Sequence, residues 1–143
     1  MTGHRAAHVA EAAEQLVGAP FRLHGRDPAI GLDCVGVVGA ALSTAGGPVD
    51  LPNGYALRNT PSGDYRAWVA RAGLIPASDA VEPGDILLAR PGPAQLHLMV
   101  AISGGRFVHA HIGLRRVVAT PGPPQWPVVA HWRLPPSPAA QGE

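Results

Sequence analysis

LHLMVAISGGRFVHAHI, residues 96–112, holds two short apolar runs separated by a glycine pair and reads as a β-hairpin. Its register depends on the length of the turn. A two-residue loop at Gly104-Gly105 sets Ser103 opposite Arg106 and His109 opposite Val100. His97 and His109 then point to opposite sides of the sheet, because side chains alternate along a strand. A three-residue loop, Ser103-Gly104-Gly105, sets Ile102 opposite Arg106 and His109 opposite Met99, and the two imidazoles become diagonal neighbours on one face. Glycine's access to the left-handed region favours such loops. The expectation is an odd-length or bulged hairpin, with His97 and His109 on one face, toward the start of a helix that Cys34 opens.

Outward from this hairpin, Ile86–Ala89, Leu114–Ala119 and Val128–Leu134 have the length and composition of further strands. The N-terminal half has a helical period instead. One helix is predicted over His4–Val17, stopped by Gly18. A second covers Cys34–Ala45, opened by Asp33 as N-cap and closed by Gly46-Gly47, and a third covers Asp64–Ala72 with Ser62 as its cap. Between the first two, Pro20, Gly25, Pro28 and Gly31 mark residues 19–33 as a long irregular loop. Helices first and antiparallel strands after them predict an α+β fold, its helices on one side of a five-stranded, mainly antiparallel sheet. Residues 1–134 make a single domain in this reading, and the Pro/Ala-rich stretch 135–143 a disordered tail.

Composition narrows the function. The formal charge is +1 in 143 residues, which offers no basic footprint for nucleic acid. All 11 basic residues are arginine, so Ser–Lys catalysis, Schiff-base chemistry and a P-loop lysine are excluded. The single cysteine rules out an internal disulfide and zinc sites built on several thiolates, and no metal or other cofactor is expected. No apolar run suits a signal peptide or a bilayer span, so the chain reads as made in the cytoplasm without an export address.

Cys34 opens the predicted second helix, where unpaired N–H groups and the macrodipole favour a thiolate. Gly36, two residues on, allows another element to come close to the sulfur. Among the seven histidines, His4 and His8 read as surface residues, His24 as a loop residue and His131 as structural. His97 and His109 each interrupt an apolar strand core. A lone histidine there is ordinarily a satisfied core residue, but two on paired strands beside a helix-opening cysteine point to a Cys–His–His relay. The thiolate attacks, His97 shuttles the proton and His109 orients the imidazole, with His111 as the alternative orienting residue.

Gly18-Ala19-Pro20-Phe21 followed by Asp33-Cys34-Val35-Gly36 resembles the G-x-P-Y…D-C-S-G signature of the NlpC-type cell-wall peptidases. Glu82-Pro83-Gly84-Asp85-Ile86-Leu87 is similar to the P-G-D-L entry to that family's first core strand. His97 and Phe107-Val108-His109-Ala110 resemble its H-V-G-I-Y…F-I-H-A hairpin, including the spacing of the two histidines. The resemblance runs from about residue 5 to residue 134. It implies a papain-like fold without cofactor and hydrolysis of peptidoglycan stem peptides, usually between D-glutamate and a diamino acid. The long spacer and Trp126…Trp132-Arg133 resemble the branch carried by phages and gene transfer agents, which implies tail proteins as partners and action at the cell wall. In the family, Tyr, Asp and Ser at the positions of Phe21, Asp33 and Val35 help hold the free amine of a stem peptide. Only the Asp is kept here, and Met99 replaces a small residue, so the resemblance implies retained cleavage chemistry with an open substrate preference. Two rival readings are a non-catalytic tail or adaptor protein on the same fold, and a thiol amidase or acyltransferase with another amide substrate. A permuted acyltransferase is disfavoured, because it would place its His before its Cys.

Overall fold

The computed structural model describes residues 4–46, 66–92 and 96–135. Ser62, Asp64 and the tail beyond Pro135 lie outside the described residues. Helix α1 spans His4–Gln15 and buries Ala6, Val9, Ala10 and Ala13, the i, i+3, i+4, i+7 positions of one face. Gly18, at φ 96°, turns the chain away, and its N–H bonds to the Val117 carbonyl at 2.9 Å. A two-stranded ribbon follows, β1 (Arg26–Asp27) and β2 (Gly31–Leu32), inside the segment expected to be irregular. Its strands are too short to show a pattern.

Helix α2 spans Cys34–Gly46. Asp33 caps it as expected, its Oδ1 accepting the Gly36 N–H at 2.8 Å. Val35, Val37, Val38, Ala41 and Leu42 are all buried, so α2 lies between α1 and the sheet and is apolar on more than one side. Helix α3 is short, Arg66–Arg71.

The main sheet has six strands, where five were expected. They are β3 (Ile75–Pro76), β4 (Ile86–Ala89), β5 (His97–Ile102), β6 (Arg106–His111), β7 (Arg116–Pro121) and β8 (Val128–Arg133). They lie in the order β3-β8-β4-β5-β6-β7, and every pair is antiparallel. The extra strand is β3, two residues at an edge beside β8. It is too short to alternate, and its proline is tolerated only because it sits at an edge. Strand β7 begins at Arg116, two residues later than expected. Leu114 and Arg115 form a turn instead, with Arg115 at φ 57° and its N–H on the Ile112 carbonyl.

The hairpin has the odd register: Ile102 faces Arg106, Ala101 faces Phe107 and Val100 faces Val108. Gly104 and Gly105 both adopt positive φ, 78° and 69°, a conformation that glycine takes without strain. Alternation then divides the core. Leu98, Val100, Ile102, Val108, Ala110 and Val117 pack with α1 and α2 on one face. Leu87, Met99, Ala101 and Phe107 pack on the other, covered by Trp126.

Candidate active site

His97 begins β5, and His109 lies in β6 diagonally across from it. Nε2 of His97 is 2.9 Å from Nδ1 of His109, and the rings meet edge-on at 90° with centroids 5.0 Å apart. His109 is buried, and its Nε2 lies 3.2 Å from Oγ1 of Thr120 on β7. Trp126 stands edge-on to both rings, 5.3 Å from His97 and 5.9 Å from His109, and shields them. His111 sits 6.0 Å beyond His109, its Nδ1 accepting the Leu114 N–H at 3.1 Å. The ring that reaches His97 is therefore that of His109.

Burial pushes the His97 imidazole down to about 3, with the neighbouring charges of His109 and His111 adding to the effect. Burial, then His111, lowers His109 to about 4. Both rings are neutral at pH 7. A neutral His97 whose Nε2 is engaged with His109 has its other nitrogen, Nδ1, as the candidate base.

The two histidines share the Trp126 face of the sheet, while α2 packs on the opposite face. They therefore do not point into the helix–sheet interface. The link to Cys34 runs around the end of the sheet. His111 pairs with Arg116, and Arg116 bridges Pro20. Phe21 donates its N–H to the Arg115 carbonyl and bridges Leu32, two residues before Cys34. Residues 18–21 thus run beside β7, joined to it by hydrogen bonds and an isolated bridge, and they bring the approach to α2 to the end of the sheet that carries His97 and His109. Cys34 is partly exposed there and packs against the helix-side core. A Cβ on Gly36 would clash with the Gly25 carbonyl oxygen, so the loop can lie against α2 only because residue 36 is glycine.

The three substrate-side positions differ in what they can offer. Phe21 is partly buried against the core. Val35 is fully buried and presents no surface to a ligand. Asp33 is buried and committed within the protein: besides capping α2, it accepts the His24 N–H at 2.9 Å and pairs with Arg26 at 2.8 Å.

Sequence reasoning gave no role at the site to Thr120 or Trp126, and none in the core to the carboxylate of Asp85. Asp85 is fully buried and accepts from His131 at 2.6 Å, from Arg133 at 2.8 and 2.9 Å, and from the Glu82 N–H at 2.9 Å. Burial works to raise its pKa, but these hydrogen bonds outweigh it and hold the carboxylate low. The network ties the start of β4 to the end of β8 and gives His131 the structural place expected of it. Among the described residues, no group of three or more His, Cys, Asp or Glu side chains is arranged to hold a metal ion. Nor is any helix among them long and apolar enough to cross a membrane.

The same arrangement of chain is found in solved structures. NlpC1 from Trichomonas vaginalis superposes with a TM-score of 0.68 at 19% identity, over 90% of this chain and 44% of that one. The fold is that of NlpC/P60 domains. The P60 domain of antigen MAP1204 from Mycobacterium avium subspecies paratuberculosis gives 0.57 at 20% identity, over 91% of this chain and 94% of that domain. The peptidoglycan hydrolase RipB from Mycobacterium tuberculosis gives 0.56 at 20% identity, over 90% and 63%. This chain spans less than half the length of the T. vaginalis protein. No protein-family model matches the sequence, and no curated protein matches it. The likeness is one of fold, carried by geometry at low identity.

Proposed function

We propose that this protein is a cysteine peptidase that hydrolyses amide bonds in peptidoglycan stem peptides, with Cys34 as nucleophile, His97 as base and His109 as the orienting residue. The observation that carries the reading is the hydrogen-bonded His97–His109 pair, 2.9 Å apart, in a chain whose helix α2 opens with Cys34. Nδ1 of His97 takes the thiol proton as Sγ attacks the carbonyl carbon. The tetrahedral intermediate collapses to a thioester, and His97 returns the proton to the departing amine. Water, deprotonated by the same ring, then cleaves the thioester. His109 holds the His97 ring in place through both steps. The NlpC/P60 fold supports peptidoglycan as the substrate class, since RipB carries that activity on it.

The bond proposed is the one between D-glutamate and the diamino acid. The setting proposed is cell-wall penetration by a phage or gene-transfer-agent tail, with tail proteins as partners. A different amide substrate is favoured by one observation: Asp33 is spent on Gly36, His24 and Arg26, and Val35 is buried, so neither is free to hold a substrate amine. Digestion of purified sacculi, with the released fragments identified by mass spectrometry, tests both readings. New D-glutamyl carboxyl ends paired with free diamino-acid amines support the first. Intact sacculi, beside cleavage of simpler peptide amides, support the second.

A further inference from the structure

We propose that Thr120 is a positioning residue that sets the tautomer of His109, and through it decides which nitrogen of His97 is left as base. The proposal rests on the reading of His97 as the base for Cys34. A neutral imidazole carries one N–H and one lone pair. The 2.9 Å contact between Nε2 of His97 and Nδ1 of His109 holds one proton, on one ring or the other. The 3.2 Å contact between Nε2 of His109 and Oγ1 of Thr120 likewise holds one, on the ring or on the hydroxyl.

The two contacts are locked together. If the Thr120 oxygen accepts from Nε2–H of His109, Nδ1 of His109 is a lone pair and accepts Nε2–H of His97. Nδ1 of His97 is then unprotonated and can take the thiol proton. If the Thr120 hydroxyl donates instead, both rings switch. Nδ1 of His97 then carries a hydrogen and cannot act as a base. Only the first arrangement also suits the imidazolium formed during attack, because Nε2–H of His97 keeps its acceptor in both states. Thr120 is only partly buried, so its own hydroxyl proton can turn toward water while its oxygen faces the buried ring. Its place follows from register, since Thr120 pairs with Phe107 and so shares the face that carries His109.

The test uses Thr120→Val, which keeps the β-branched shape and removes the oxygen, and Thr120→Ser, which keeps the oxygen. Long-range proton–nitrogen correlation spectra of the ¹⁵N-labelled protein at pH 7 read the tautomers directly, without any activity. The expected result is Nε2–H on both His97 and His109 in the wild type and in Thr120→Ser, with Nδ1–H forms growing in Thr120→Val. On sacculi, kcat should fall by roughly 10–100-fold in Thr120→Val with KM unchanged, as is usual for an outer hydrogen-bond partner of a working histidine, and recover in Thr120→Ser. Nδ1–H on His109 in the wild type would overturn the proposal, and so would unchanged tautomers and kcat in Thr120→Val. If the wild type leaves sacculi intact, the proposed function fails, while the spectra still decide the role of Thr120.

Discussion

Lowering the pH from 7 to 5 should destabilise this fold through His97 and His109 together. In the unfolded chain each imidazole titrates near 6.5, whereas in the folded protein burial holds them at about 3 and about 4. The folded state therefore refuses protons that the unfolded state accepts. Their contribution is fully present above the unfolded value and is lost as the pH falls from about 6.5 toward the folded values. At pH 5, about 1.5 units below the unfolded value, each ring costs about 2 kcal/mol, so the pair costs about 4 kcal/mol. That is a large share of the roughly 5–15 kcal/mol by which a domain is ordinarily stable. Asp79 and Asp85, whose values are lowered from 3.8, respond only at still lower pH and leave this window clear. Urea titrations at pH 7, 6 and 5, followed by tryptophan fluorescence, give the free energy at each pH by linear extrapolation. His97→Gln, with one titrating ring removed, should lose only about half as much between pH 7 and pH 5. Equal stability at pH 7 and pH 5 in the wild type would refute the burial argument, since it would mean that both rings titrate like free histidine.

His97→Ala should drop sacculus digestion to background, while His109→Gln keeps measurable turnover, because losing the base costs more than losing its orienting partner. The reverse order in initial rates would show that the two roles are exchanged. Asp85→Asn leaves Arg133 and His131 facing a neutral group and should cost about 3–5 kcal/mol in urea unfolding, the usual result of breaking a buried pair from one side. A loss under about 1 kcal/mol would mean that the network is dispensable. Gly36→Ala forces a Cβ against the Gly25 carbonyl and should cost about 1–3 kcal/mol by overpacking. A Gly36→Ala protein as stable as the wild type would show that this loop yields freely.

The register of the hairpin was legible in the sequence because the glycine pair allows a two- or a three-residue loop, and only the odd one puts His97 and His109 on one face. The Asp33 cap was legible because capping chemistry is local. Thr120 and Trp126 were not, because what makes them matter is a contact across strands or from a loop, with no spacing signature. Nor could alternation show that the histidines lie on the face away from α2, since it says which residues share a side but not which side the helices cover. The pairing of residues 18–21 with β7, which brings Cys34 around to the same end of the sheet, involves a segment rich in Gly and Pro that reads locally as a loop.

The claim that Cys34 is a nucleophile activated by His97 is tested most directly by its rate of alkylation with iodoacetamide across pH, with sacculus digestion measured in the same samples. A working Cys34 reacts fast at pH 6, loses digestion in step with alkylation, and slows in His97→Ala. Reaction that rises only near the ordinary thiol value of about 8.5, or full alkylation with digestion unchanged, would contradict it.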